Sequence, residues 1–142
     1  MENRKIKMIF KIDPKLENFG VEKIYLLRDF TLYCMNYLEI NGNIEINLKN
    51  GKDAHLQTLA SYGYSIIPNQ PDDIYLRAGN RHIVDIMRSL AHELTHKRQN
   101  EKGELGDESG KTGSKQENEA NSLAGIIMRQ YTKTHPEILD II

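Results

Sequence analysis

His92-Glu93-Leu94-Thr95-His96 places two imidazoles four residues apart with a carboxylate directly after the first. On an α-helix, residues four apart lie about 40° apart around the axis and one turn along, so both rings can point at one ion. Glu93 is rotated about 100° from His92, which takes it out of the ligand pair but leaves it within reach of a water held there. Zinc in such a site lowers the pKa of its water towards about 7 and polarises a carbonyl, while the carboxylate takes the proton and returns it to a leaving amine. The pattern therefore predicts Zn2+ as cofactor, His92 and His96 as ligands, and Glu93 as general base. The bland alternative is chance placement on an amphipathic helix, and helical context and a downstream carboxylate weigh against it.

Catalytic zinc takes three protein ligands and keeps one position open. Downstream of the motif the candidates are Glu117, Glu119 and His135, since His55 and His82 lie upstream, where this motif does not usually draw its third ligand. Both glutamates flank the apolar face of the following helix, and its wheel is taken not to separate them. Ser114 and Glu117 form an S-x-x-E capping box, which assigns the Glu117 carboxylate to the Ser114 amide. That argument selects Glu119 as the third metal ligand.

The elements that must position these residues follow from punctuation and periodicity. Lys5 to Ile12 alternates weakly and is read as a strand ahead of Asp13-Pro14 and Gly20. Val21 to Leu38 is free of Gly and Pro, and Val21, Ile24, Tyr25, Phe30, Cys34, Tyr37 and Leu38 recur at helical spacing. Tyr33 and Tyr37 are assigned to core packing. Asn41-Gly42 ends that helix. Ile44, Ile46 and Leu48 alternate with polar residues as in a half-buried strand, closed by Asn50-Gly51. The stretch from Asp53 to Ile67 is ambiguous, a helical turn followed by an extended part from Tyr62, and Pro68 and Pro71 bracket a loop. Asp73 to Arg77 alternates as a strand ahead of the motif helix, which spans Arg81 to Asn100. Lys97, Arg98 and Lys102 suit the negative end of that helix's dipole. A glycine-rich surface loop, Gly103 to Gly113, leads to the capped helix, whose apolar face carries Ala120, Leu123, Ala124, Ile127, Met128 and Tyr131. His135-Pro136 ends it, and Ile138 to Ile142 packs down.

His92-Glu-Leu-Thr-His96, a glycine-rich spacer and Asn118-Glu119-Ala120-Asn121-Ser122 together resemble the gluzincin metallopeptidases, the thermolysin-like clan, and especially its minimal single-domain members. The resemblance covers the two helices, about a third of the chain. It implies that the Glu of the second helix, mapped onto Glu119, is the third zinc ligand, and that the activity is hydrolysis of peptide bonds in a polypeptide substrate. Thermolysin-like members carry an Asp four residues after that Glu to orient a zinc-binding histidine. Leu123 stands there, so the orienting group is expected elsewhere, at Asn121 or a main-chain carbonyl. A Tyr or His also stabilises the oxyanion in that clan, for which Tyr131 and His135 are candidates.

At 142 residues, 39% hydrophobic and 27% charged, the chain has the size and composition of one globular domain spanning 1–142. Nineteen basic against twenty acidic residues leave a net charge of -1, which gives no footprint for nucleic acid or anionic lipid. A lone Cys34 among apolar neighbours, a short apolar run behind Arg4, Lys5 and Lys7, and no transmembrane-length stretch lead to an expected cytoplasmic location. The expected fold is α+β: a small, mainly antiparallel sheet, a backing helix, the motif helix and a glutamate-bearing helix. A second reading is a metallopeptidase-like binding or structural protein with weak or no turnover. Such small domains also occur among bacteriophage-encoded proteins, with virion or assembly roles.

Overall fold

The computed structural model describes residues 6–16, 19–51, 59–65, 70–106 and 113–141. The expected helical turn from Asp53, His55, Pro68 and most of the glycine-rich loop lie outside them. Strand β1 (Ile6–Ile12) leads into helix α1 (Val21–Tyr37), then β2 (Gly42–Lys49), β3 (Ala60–Gly63), β4 (Asp72–Arg77), α2 (Ile83–Glu101), α3 (Lys115–Thr134) and a 3-10 turn over Pro136–Asp140. None of these helices is long and apolar enough to cross a membrane.

The four strands form one sheet in the order β1-β2-β4-β3. The α+β expectation holds, but the mainly antiparallel sheet does not: β1 with β2 and β2 with β4 are parallel, and β3 with β4 is antiparallel. The reason is connectivity. Helix α1 carries the chain back to the end of the sheet where β1 began, which only a parallel neighbour allows. Asn50-Gly51 has hairpin chemistry, yet β2 has β1 and β4 at its sides, and the chain turns through β3 before β4 is laid down. Asp73 to Arg77 is accordingly an interior strand, and among the described residues β1 and β3 are the two edges.

In register, Met8, Ile44 and Asp72 lie abreast, as do Phe10, Ile46 and Ile74, and Ile12, Leu48 and Leu76. Ile44, Ile46, Leu48, Ile74 and Leu76 are fully buried under the helices, each contributing roughly 1.5–3 kcal/mol of burial. Helix α1 buries Leu27, Phe30, Thr31, Cys34 and Met35 and packs beside α2 and α3. That stripe is rotated from the expected one: Val21, Tyr25 and Tyr37 are exposed, and only Phe30, Cys34 and Leu38 of the expected set are buried. Tyr33 packs edge-on to Tyr131, whereas Tyr37 is outside the core. Cys34 is a packed thiol whose pKa burial pushes well up.

Two devices aim α2 at the sheet. Gly79 lies against the main chain of Asn50, where a Cβ would collide with the carbonyl, so the chain can turn tightly out of β4. The Arg81 guanidinium then bonds the Arg77 carbonyl at 2.9 Å, the Asp85 carbonyl at 3.0 Å and Ser89 Oγ at 2.8 Å, joining the end of β4 to the first turns of α2. His82 is the N-cap, its Nδ1 accepting from the Val84 amide.

Lys97 is not a solvated dipole cation. It is 4% exposed, and its ammonium meets Asp72 Oδ2 at 2.7 Å. Asp72 also accepts from Tyr62 OH and the Ser65 amide, and Asn100 donates to Tyr62 OH. Burial raises the Asp72 carboxyl, but Lys97 and the Ser65 and Tyr62 bonds hold it below the usual carboxylate range. This network ties β3 and β4 to the motif helix. In α3, Ala120, Ala124, Ile127, Met128 and Tyr131 are buried. Ile138 packs down while Leu139 is exposed.

Candidate metal centre

Helix α2 presents His92 and His96 on one face, as a four-residue spacing dictates, with their Nε2 atoms 3.2 Å apart. The carboxylate that meets them is Glu117: Oε1 lies 2.8 Å from His92 Nε2 and Oε2 lies 3.1 Å from His96 Nε2. These three form the group that could hold a metal ion among the described residues. Glu119, selected from the sequence as third ligand, is exposed and outside the cluster, where its Oε1 accepts from Gln99 Nε2 at 3.0 Å. The capping argument failed for a definite reason. Ser114 does cap α3, but through the main-chain amide of Glu117 at 3.1 Å. The Glu117 carboxylate extends instead to the two imidazoles.

The donor set fits a tetrahedral dication. Zinc–nitrogen bonds of about 2.0–2.1 Å imply ligand atoms separated by roughly 3.3 Å in a tetrahedron, close to the 2.8, 3.2 and 3.1 Å separations among these atoms. Proton accounting agrees. Burial, first of all, holds the His92 pKa below the usual imidazole range, with the neighbouring His96 acting the same way and Glu117 and Asn121 opposing. A neutral imidazole is the form that binds metal. A neutral His92 can give its Nε2 proton to Glu117, but His96 Nε2 and Glu117 Oε2 still face each other. A cation satisfies both.

Each histidine has an outer neighbour. Asn121 lies close enough to His92 to act on its pKa, raising it, and His96 Nδ1 is 2.8 Å from Gln99 Oε1. Counted from Glu117 rather than Glu119, the position four residues on is Asn121, so the place the thermolysin-like pattern gives to Asp is polar here after all. Gln99 was absent from the sequence reading. Its three-residue spacing from His96 was the available signal.

Glu93 is 6% exposed, and among the described residues its Oε2 is buried without a hydrogen-bond partner. Burial, and then the charge of Glu117, push its carboxyl up to about 8. His92, Glu93, His96 and Glu117 line one cleft of about 1130 Å³, bounded on one side by Leu59 to Tyr62 and on the other by Asn121 and Ala124 of α3. Neither oxyanion candidate reaches it. Tyr131 is fully buried, donating to Asp29 Oδ2 at 2.8 Å, and His135 stacks on the Tyr131 ring at 4.0 Å.

The molecule is thus an α+β domain with a His-His-Glu cluster in an open cleft. No protein-family profile matches the chain, and no curated protein matches it in sequence. Among solved structures it is similar to the crystal structure of a Wss1 mutant from Saccharomyces cerevisiae, with a TM-score of 0.56 and 17% identity over 94% of this chain and 98% of that one. The two share a fold.

Proposed function

We propose that the protein is a zinc-dependent endopeptidase in which His92, His96 and Glu117 hold the metal and Glu93 is the general base. The observation that carries this reading is the cluster itself, three mutually facing ligand atoms in a cleft beside a buried carboxylate, one oxygen of which has no hydrogen-bond partner among the described residues. The metallopeptidase-like fold shared with Wss1 supports it, as does the resemblance of the two helices to gluzincins, now with Glu117 in the place of the ligand glutamate. When bound, zinc supplies the positive charge that acidifies a water and polarises the scissile carbonyl. Glu93 takes that water's proton on its carboxylate and delivers it to the leaving amine. A cation held beside it would favour the ionised form of this carboxyl, the form that accepts a proton.

The substrate of this reading is a polypeptide. β3 is the edge strand beside the cleft, so an extended peptide can add to it as a further strand, fixing the scissile bond over the cluster. In the test, parent and Glu93→Gln are loaded with zinc, analysed for metal and incubated with denatured casein. Equal zinc content with cleavage reduced at least about 100-fold in the variant is expected. Equal cleavage by both removes Glu93 from the mechanism. Zinc uptake by a parent that cuts no member of a peptide library assigns the cluster to a binding role instead.

A further inference from the structure

Gln99 is 1% exposed and bridges the two helices that build the metal centre. Its Nε2 donates to the Gln116 carbonyl at 2.9 Å and to Glu119 Oε1 at 3.0 Å, both on α3. Its Oε1 is 2.8 Å from His96 Nδ1. The direction of the whole chain of bonds follows from one fact: a main-chain carbonyl can only accept. The amide nitrogen of Gln99 must therefore face α3, and its oxygen must face the imidazole. An oxygen there can only accept, so the proton of neutral His96 is on Nδ1 and the lone pair is on Nε2, the atom that faces His92 and Glu117.

We infer that Gln99 is the positioning residue that fixes the metal-binding tautomer and ring orientation of His96, and that Glu119 acts through it by fixing the direction of its amide. This rests on the metal centre proposed above but not on any turnover. It gives Glu119 a function two bonds away from the metal. A buried amide here does the work a carboxylate does for many zinc-binding histidines, without adding a second negative charge beside Glu119.

The test is zinc affinity of the purified full chain by competition with a chromophoric chelator, alongside the long-range 1H–15N spectrum of His96 in the metal-free protein. Gln99→Met keeps the side-chain length and removes both polar atoms. It is expected to lower zinc affinity about 10–100-fold and to convert His96 from a single Nδ1–H tautomer to a mixture. Glu119→Ala leaves Gln99 its bond to the Gln116 carbonyl, so a smaller loss is expected. Q99E alone sets its carboxylate against both Glu119 and the Gln116 carbonyl and weakens binding, while Q99E/E119Q turns the first of these contacts into a donated hydrogen bond and recovers part of the affinity that Q99E loses. That rescue is what a purely structural role would not produce, and it stands even if Gln99→Met fails to fold. Unchanged affinity in Gln99→Met or, where that variant does not fold, no rescue by Q99E/E119Q overturns the inference. A parent that takes up no zinc overturns the metal centre along with it.

Discussion

His96 and Lys97 are neighbours on one helix, yet each belongs to a buried polar cluster of opposite design. On the sheet side, Lys97, Asp72, Tyr62 and Asn100 satisfy one another, the ammonium against the carboxylate at 2.7 Å and the phenol donating into the same carboxylate at 2.8 Å. On the cleft side, His96 Nε2 and Glu117 Oε2 face each other at 3.1 Å, a pair that needs a proton or a cation between them, and among the described residues Glu93 Oε2 has no hydrogen-bond partner. Burying an unsatisfied polar group costs free energy. A fold that completes one network and leaves the other short of a cation and a proton acceptor separates what holds the molecule together from what is kept ready for a ligand.

Exchanging the two glutamates of α3 is the severest trial of the cleft-side half of this comparison. Glu117→Ala removes one of the three proposed ligands and is expected to weaken zinc binding on the order of 10³-fold, a third or so of the apparent free energy of a structural zinc site. Glu119→Ala, measured in the same titration, is expected to lose far less. An equal loss in both variants, or a greater one in Glu119→Ala, would return the third ligand to the position chosen from the sequence.

The sheet-side half is tested by Lys97→Met. Leaving Asp72 buried without its cation is expected to destabilise the protein by about 3 kcal/mol, read from urea unfolding in chelator. Zinc affinity of the folded variant should stay near that of the parent. Adding Asp72→Asn keeps an acceptor for the Ser65 amide without the charge, with its amide nitrogen donating to Tyr62 OH, and should recover over half of the loss. If instead Lys97→Met leaves stability unchanged and depresses zinc affinity, the two clusters are one system and the contrast between them fails.

Much of the cleft was legible because helical geometry is local. The four-residue spacing of His92 and His96 brought the rings together without any knowledge of the rest of the chain, and Glu93 followed from its rotation. The third member of the cluster was legible too, and was missed. At about 100° per residue, Glu117 lies roughly 35° from the centre of the face formed by Ala120, Ala124, Ile127, Met128 and Tyr131, and Glu119 roughly 125°. The wheel did separate them, though both were read as merely flanking the apolar face, and the capping rule that decided between them assigns side chains only by local bonds. The sheet was harder. Strand alternation in Ile44 to Leu48 shows a buried face but carries no sign of direction, and direction depended on α1 as a crossover and on β3 as a late edge. Lys97 was misassigned because its partner, Asp72, is 25 residues away in sequence, and its pairing exists only once β4 lies against α2.

The two clusters should also respond to pH with opposite signs. Asp72 is held below its unfolded value of 3.8, so its contribution to stability is present above that pH and is lost as pH falls through the folded value. Glu93 is raised from 4.5 to about 8. The unfolded chain therefore releases this proton before the native protein does. Stability linked to Glu93 is fully present below 4.5 and drains away as pH rises to about 8. Glu93→Gln replaces the acid with a neutral amide of similar shape and removes that dependence. In metal-free protein, the stability of the variant relative to the parent should grow by about 2 kcal/mol between roughly pH 5.5 and pH 7, the interval over which only the unfolded parent ionises. Urea midpoints of the two proteins at those pH values, in chelator, measure it directly. A constant difference would mean that Glu93 is ionised in the native state at neutral pH, with a partner for its second oxygen, and the cleft would then be as complete in itself as the network around Lys97.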